Sequence, residues 1–125
     1  MARILLAEDE DALRGFIVRA LTEEGHEVVS VADGVSALDA LAHDRGRIQL
    51  LLTDVRMPVM DGIALALNAA RERPELAILL MTGYADQRER AHDIDPLIHD
   101  VIPKPFSVAE LRAAVQEALT VHARH

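Results

Sequence analysis

Short apolar runs alternate with amphipathic stretches along the sequence. The apolar runs occupy residues 4–7, 28–31, 48–53, 76–81 and 101–102. They are too short for helices and have polar residues at their ends, which is typical of strands buried on both faces. The pattern therefore predicts five strands, each followed by a stretch with a different period.

The stretches between these runs carry apolar residues at helical spacing. In the first stretch the spaced residues are Leu13, Phe16, Ile17, Ala20 and Leu21. Gly25 is predicted to end that helix in a left-handed conformation. Further helices are predicted near residues 35–43 and 63–72, and a last one, capped by Ser107, near residues 108–119. In the segment 86–100 we expect a short or mobile helix, because Pro96 cannot continue a helix without losing a backbone hydrogen bond.

This alternation indicates the α/β fold class. Short connections between strands and helices favour a parallel sheet with helices on both faces, since each crossover is right-handed and returns over the sheet. Ligands of such sheets bind at the carboxyl ends of the strands. The 125 residues, half of them apolar, suit one core and one domain.

Composition excludes several classes of function. The sequence has no cysteine, no apolar run long enough to cross a membrane and no secretory leader at its start, so we expect a cytoplasmic protein. The net charge of −8 disfavours direct binding to nucleic acid or to anionic lipid. With two Phe, one Tyr and no Trp, the core must be aliphatic.

Polar residues follow the predicted strands at the edge where ligands bind. Glu8 and Asp9 end the first strand, Asp54 the third and Thr82 the fourth, and Lys104 follows the fifth. A run of acidic residues is usually just a solvated loop. Three carboxylates converging at one edge, however, repel one another unless a cation neutralises them. Their oxygen ligands suit Mg²⁺.

Asp54 is a candidate nucleophile. An aspartate between a strand and a loop is usually a turn former. Next to a metal, its oxygen can attack phosphorus while the cation and Lys104 neutralise the charge on the transferring group. Thr82 supplies a hydroxyl at the same edge.

These motifs together resemble the response-regulator receiver family. The resemblance covers essentially the whole chain, and it is carried by Glu8-Asp9, the segment 53–58, Met60-Asp61-Gly62, Met81-Thr82-Gly83 and Lys104-Pro105-Phe106. It implies a flavodoxin-like, CheY-like fold: a doubly wound sheet of five parallel strands in the order 2-1-3-4-5, flanked by five helices. Residues 1–125 would form a single receiver domain with no output domain.

The resemblance also implies a role for each site residue. Asp54 would accept a phosphoryl group from a phosphohistidine of a histidine kinase or a histidine phosphotransfer protein. Asp9 and the backbone carbonyl of Arg56 would join Asp54 on Mg²⁺, and Glu8 would act at or near the metal through water. Thr82 and Lys104 would each hold a phosphoryl oxygen. The protein would be a signalling phospho-acceptor rather than an enzyme, catalysing only its own phosphorylation and dephosphorylation.

The sequence departs from the family at its aromatic switch. Three residues before Lys104 the family usually has Tyr or Phe, and this sequence has Val101. Tyr84, two residues after Thr82, is a candidate substitute for that ring. The bulky side chains of Arg56 and Tyr84 are also predicted to shield the phosphoryl group from water and to slow its hydrolysis.

Among receivers, the sequence resembles the CpdR-type single-domain regulators of alphaproteobacteria. The resemblance rests on the start Met-Ala-Arg-Ile-Leu-Leu-Ala-Glu-Asp, the Leu-Leu-Leu-Thr-Asp strand and Met-Thr-Gly-Tyr. It implies a histidine phosphotransfer protein and the ClpXP protease as partners. A second role compatible with the family is that of a phosphate sink in a phosphorelay.

Two alternatives come from other classes of protein. A haloacid-dehalogenase-like phosphatase also uses a nucleophilic Asp with Mg²⁺, but it needs a second Asp two residues later as general acid. Arg56 occupies that position here. A flavodoxin-like flavin carrier needs a first loop that cradles phosphate, and the acidic residues 8–11 would repel one.

Overall fold

The computed structural model describes residues 1–83 and 95–123, and their five strands form one parallel sheet. The strands are β1 (Arg3–Ala7), β2 (Glu27–Val31), β3 (Leu50–Asp54), β4 (Ala77–Thr82) and β5 (Asp100–Pro103). They pair in the order β2-β1-β3-β4-β5. The predicted sheet and its strand order are confirmed.

Four α-helices cover the sheet in the described residues: α1 (Asp11–Glu23), α2 (Gly34–His43), α3 (Gly62–Glu72) and α4 (Val108–Ala123). The sequence predicted five, and the remaining one was expected within 86–100, most of which lies outside the described residues. Pro96 lies in a short 3-10 helix, Asp95–Leu97. Within this part of the chain, no helix combines the length and the apolar character needed to cross a membrane.

Alternate residues of each strand point to opposite faces of the sheet and form two aliphatic layers. The layer under α2 and α3 includes Leu5, Leu51, Ile78, Leu41 and Leu65. The layer under α1 and α4 includes Leu6, Leu52, Leu79, Ile17 and Val115. All these side chains are buried, and the buried apolar residues of the described chain are aliphatic or Met, as predicted.

The helix ends follow the predicted chemistry. Gly25 ends α1 with φ of 98°, a left-handed conformation that glycine adopts without steric cost. Ser107 precedes α4, and its hydroxyl accepts a hydrogen bond from the Glu110 N–H at 3.0 Å. The Glu110 carboxylate in turn accepts from the Ser107 N–H at 2.9 Å, which completes a capping box.

The third strand begins two residues later than its apolar run. Its first residue is Leu50, whereas the run starts at Ile48. The Ile48 N–H donates to the carboxylate of Asp44, and the Ile48 carbonyl accepts from the guanidinium of Arg73 at 2.6 Å. Because side chains take both backbone groups, Ile48 is buried without joining the sheet.

Asp44 is a buried carboxylate at the end of the sheet opposite to Glu8, Asp9 and Asp54. Its oxygens accept hydrogen bonds from the Ile48 N–H and, at 2.7 Å, from Arg3 Nε. Burial alone would raise the pKa of Asp44, but the hydrogen bonds from Ile48 and Arg3 outweigh it and hold the pKa below its ordinary value of 3.8. The ionised carboxylate therefore stabilises the fold.

We expect Asp44→Asn to lower the free energy of unfolding by about 2 kcal/mol near neutral pH, because an amide offers one acceptor oxygen where the carboxylate offers two. Since the folded pKa is lowered, the contribution of the carboxylate is fully present above the ordinary value of 3.8 and is lost as the pH falls through the folded pKa. The difference in the free energy of unfolding between parent and variant should therefore be smaller in acid. Urea unfolding at about pH 7 and about pH 3 measures it.

Asp39→Asn is the matched control, since the Asp39 side chain is 74% exposed in α2, the helix that Asp44 follows. It should change the stability by less than about 0.5 kcal/mol. A loss for Asp44→Asn that does not vary with pH would contradict the ionic explanation.

Candidate functional site

The sheet order brings the predicted site residues to one rim. Strands β1, β3, β4 and β5 are neighbours, so the residues at their carboxyl ends adjoin one another. Carboxylate oxygens of Glu8, Asp9 and Asp54 all lie within 4.8 Å of one another. Glu8 and Asp54 are buried and Asp9 is exposed. The predicted convergence of the three carboxylates is therefore present.

Lys104 bridges two of these carboxylates. Its Nζ lies 2.9 Å from Asp54 Oδ2 and 3.2 Å from Glu8 Oε1. The peptide bond between Lys104 and Pro105 is cis. A cation next to Asp54 can neutralise the negative charge of a group bound to that carboxylate.

The burial of this cluster shifts two pKa values. Burial, opposed by a hydrogen bond from the Glu10 N–H and reinforced by the charge of Asp54, raises the pKa of Glu8 from 4.5 to about 7. Burial alone would lower the pKa of Lys104, but the carboxylates of Asp54 and Glu8 raise it above 10.5. Lys104 thus stays a cation, whereas burial favours the neutral form of the Glu8 carboxyl unless a further cation lies beside it.

The cluster lies in a cavity of about 1050 Å³. Its described lining combines the acidic residues with apolar ones: Glu8, Asp9, Glu10, Leu13, Asp54, Arg56, Met57, Pro58, Gly83, Lys104, Pro105 and Phe106. Ligand sites are commonly concave surfaces of this kind, with a few converging polar groups. The cavity therefore gives an outside group access to Asp54.

The carbonyl groups of Asp54 and Val55, at the end of β3, both accept hydrogen bonds. The Thr53 hydroxyl donates to the Asp54 carbonyl at 3.0 Å. The N–H of Gly62 donates to the Val55 carbonyl at 2.7 Å, which brings the start of α3 against the end of β3. A Cβ on Gly62 would lie 2.0 Å from the Asp54 carbonyl oxygen. Only glycine permits this approach.

The ends of β4 and β5 are joined by the N–H of Lys104, which donates to the Thr82 carbonyl at 2.7 Å. Thr82 is 1% exposed, and its hydroxyl has no hydrogen-bond partner in residues 1–83 and 95–123. A buried hydroxyl without a partner is uncommon. The predicted contact of this hydroxyl with a phosphoryl oxygen stays a prediction.

A family model described as the response regulator receiver domain matches residues 4–116. The chain belongs to the response regulator receiver family. Receivers are phospho-accepting signalling domains rather than enzymes in the ordinary sense, and an acidic pocket such as this one binds Mg²⁺ in the family.

Two relatives from Brucella abortus show how far the similarity extends. The response regulator receiver protein CpdR is 39% identical over 95% of this chain and 98% of that protein. The sensor kinase CckA is 36% identical over 94% of this chain but only 12% of that protein. The receiver fold therefore occurs in these relatives both as nearly a whole protein and as a small part of a kinase.

Solved structures confirm the receiver fold. A receiver domain protein from Clostridium thermocellum has a TM-score of 0.89 at 22% identity, covering 97% of this chain and 96% of that one. TrrA from Thermotoga maritima, solved in complex with Mg²⁺-BeF, has a TM-score of 0.84 at 28% identity, covering 95% of this chain and all of that one. The phosphatase and flavin-carrier alternatives are not favoured.

The structure brings most of the predicted site residues to one rim of the sheet, and their roles stay predictions. Glu8, Asp9, Asp54 and Lys104 line the cavity, and Thr82 is buried at the end of β4. Arg56 also lines the cavity and is exposed, and the metal-binding role of its carbonyl stays a prediction.

The predicted replacement for the aromatic switch cannot be placed. Val101 is partly buried and packs against the layer under α2 and α3. Tyr84 lies outside the described residues, so its predicted role in shielding the phosphoryl group stays a prediction. The sequence did not indicate one contact at this rim, in which the guanidinium of Arg14 donates to the backbone carbonyl of Glu8.

Proposed function

We propose that this receiver takes a phosphoryl group from a phosphohistidine onto Asp54 in a reaction that requires Mg²⁺. The observation that carries the proposal is the position of Asp54, a carboxylate at a cavity wall with Lys104 Nζ at 2.9 Å and two further carboxylates beside it. In the transfer, an Asp54 oxygen bonds to phosphorus, the bond from phosphorus to the histidine nitrogen breaks, and the imidazole leaves.

The residues present fit Mg²⁺. The oxygen ligands of Glu8, Asp9 and Asp54 are of the kind this cation takes, and the wide cavity leaves room for the waters it retains. In the proposed site Asp9, Asp54 and the Arg56 carbonyl would hold the metal, and Glu8 would act through water. When bound, Mg²⁺ neutralises negative charge on the transferring group.

Lys104 and Thr82 would receive the other phosphoryl oxygens. The Lys104 ammonium already contacts Asp54, and the buried Thr82 hydroxyl lacks a partner among the described residues. The Lys104 ammonium is already held by its contacts with Asp54 and Glu8, and the Lys104 N–H, which donates to the Thr82 carbonyl, joins the backbones of the two residues. Donors that need no rearrangement stabilise charge in a transition state more effectively than mobile ones.

Two of the similar proteins support the proposed phosphoryl donor and the proposed use of Mg²⁺. CckA is a sensor kinase, which fits a histidine kinase or a histidine phosphotransfer protein as the source of the phosphoryl group. TrrA has 28% identity to this chain and was solved with Mg²⁺-BeF, a group that stands in for Mg²⁺ and a phosphoryl group. The proposal places this exchange in the cytoplasm.

The similarity to CpdR extends the proposal to output. CpdR is aligned over 98% of its length, so we propose that residues 1–125 act as one receiver whose own surface contacts the next partner. As the CpdR-type resemblance implies, that output would be regulated proteolysis through ClpXP. Pull-down of ClpX by the unphosphorylated and phosphorylated protein tests this extension, and equal absence in both states would favour a phosphate sink.

Labelling by acetyl phosphate tests the central proposal. With Mg²⁺, intact-mass spectrometry should find one added phosphoryl group, and hydroxylamine should remove it because it cleaves acyl phosphates.

Asp9→Ala should weaken Mg²⁺ binding at least about tenfold, as measured by NMR titration. Glu10→Ala removes an equal charge from the same cavity and should have a small effect. Labelling that needs no Mg²⁺ would contradict the proposal.

A further inference from the structure

Asp9 is an exposed side chain on a well-anchored loop. It makes no hydrogen bond through its carboxylate within the described part of the chain, so its orientation depends on the two peptide units that flank it. The following unit is fixed by the Glu10 N–H, which donates to Glu8 Oε2 at 3.1 Å. The preceding unit contains the Glu8 carbonyl, and a residue of α1 fixes that one.

That residue is Arg14. Its Nη1 donates to the Glu8 carbonyl oxygen at 2.9 Å, while its Nη2 contacts Asp11 Oδ1 at 2.5 Å. The guanidinium is a planar fork, so holding Asp11 with one nitrogen fixes the direction of the other. The side chain is 24% exposed, which leaves this contact partly shielded from water.

The contact has a geometric consequence. The Glu8 carbonyl and the Asp9 N–H belong to one rigid peptide plane. A guanidinium that fixes the carbonyl therefore restricts the backbone of Asp9, and with it the direction in which the Asp9 carboxylate points. The first turn of α1 has no side-chain cap from Glu10 that could do this instead.

We propose that Arg14 is a positioning residue that holds the Glu8–Asp9 peptide plane and so orients the Asp9 carboxylate toward the cation site. Arg14 does not belong to the described lining of the cavity, so it acts through Glu8 and Asp9 rather than by touching the phosphoryl group. The inference rests on the proposed Mg²⁺ site. It adds a link from helix α1 to that site which none of the family motifs contains.

The direction in which Mg²⁺ affinity changes when Arg14 is replaced distinguishes a positioning role from a simple effect of its charge. Arg14 is a cation near an acidic rim, so its charge alone repels Mg²⁺ and its removal would tighten binding. Loss of positioning has the opposite effect. Groups that orient metal ligands typically contribute 10- to 100-fold in affinity, and the partial exposure of Arg14 places its expected effect at roughly three- to tenfold.

The experiment compares Mg²⁺ affinity in the parent, Arg14→Ala and Arg19→Ala by NMR titration. Arg19 lies on the same helix, is exposed and makes no hydrogen bond or ion pair in the described residues, so its variant reports the charge effect alone. Arg14→Ala should bind Mg²⁺ roughly three- to tenfold more weakly than Arg19→Ala. Equal or tighter binding overturns the inference.

A second measurement is made without metal. In Arg14→Ala the Glu10 amide should exchange with solvent faster, and the backbone order parameter of Asp9 should fall, whereas both should stay unchanged in Arg19→Ala. Unchanged values in Arg14→Ala overturn the inference. A parent that binds no Mg²⁺ would overturn the proposed function instead, and the metal-free values would still decide whether Arg14 holds this loop.

Arg14→Lys keeps the test available if the alanine variant does not fold. An ammonium retains the charge but cannot reproduce a planar fork between a carbonyl and a carboxylate. Arg14→Lys should bind Mg²⁺ more weakly than the parent, and its Glu10 amide should exchange with solvent faster than in the parent. Values for Arg14→Lys that match the parent would mean that charge alone matters, and this would overturn the inference.

Discussion

Asp54→Asn should reduce phosphoryl labelling to less than about one hundredth of the parent level. The amide has nearly the shape of the carboxylate, but its oxygen is a weak nucleophile and carries no charge to bind Mg²⁺. The variant should still fold, because losing the 2.9 Å contact with Lys104 is offset by less repulsion between position 54 and Glu8. Intact-mass spectrometry after acetyl phosphate treatment measures the labelling, and thermal unfolding checks the fold.

Glu10→Gln is the matched control for Asp54→Asn. Glu10 is an exposed carboxylate in the wall of the same cavity, and the substitution neutralises it in the same way. Its labelling should stay within about threefold of the parent, since an exposed charge is screened by solvent and changes the local potential only slightly. Strong labelling of Asp54→Asn would show that another residue accepts the group.

Gly62→Ala should lower the free energy of unfolding by about 3 kcal/mol or more, because overpacking against backbone cannot be relieved by a side-chain rotation. The added Cβ would lie 2.0 Å from the Asp54 carbonyl oxygen and 2.9 Å from Val55 Cα. Either α3 or the end of β3 must move. Since misplacing a reacting group by about 1 Å can cost roughly 100-fold in rate, labelling of Asp54 should fall as well.

Gly15→Ala makes the same chemical change in a site with space. Gly15 lies inside α1, and its Cβ would meet nothing within 4 Å. Alanine is the better helix former, so this variant should gain roughly 0.5–1 kcal/mol. Urea unfolding of both variants gives the comparison. If Gly62→Ala is as stable as the parent, the close approach of α3 to β3 is not rigid.

The sequence predicted which residues lie at the carboxyl ends of the strands, because apolar runs mark where buried strands end. Asp54 follows Leu50-Leu51-Leu52 and does end β3, and Lys104 follows the short fifth strand. In a parallel sheet, those ends have to share an edge. The strand order itself came from the family resemblance, since several orders satisfy the same alternation of strands and helices.

The contacts that orient the rim could not be predicted in this way. Arg14 reads as an ordinary polar residue of an amphipathic helix, and its aim at the Glu8 carbonyl depends on how α1 packs on the sheet. Arg73 meets the Ile48 carbonyl across 25 residues of sequence. Local periodicity carries no information about such pairs, because it registers which face a residue occupies and not which atom it reaches.

The unit formed by β3 and α3 is fastened at both of its ends. At the start of β3, Arg73 at the end of α3 donates to the Ile48 carbonyl; at the other end, the Gly62 N–H donates to the Val55 carbonyl. A strand and helix joined in this way should open as one cooperative block rather than fray from either end. If Asp54 accepts a phosphoryl group as proposed, this block would be a rigid support for the modified side chain.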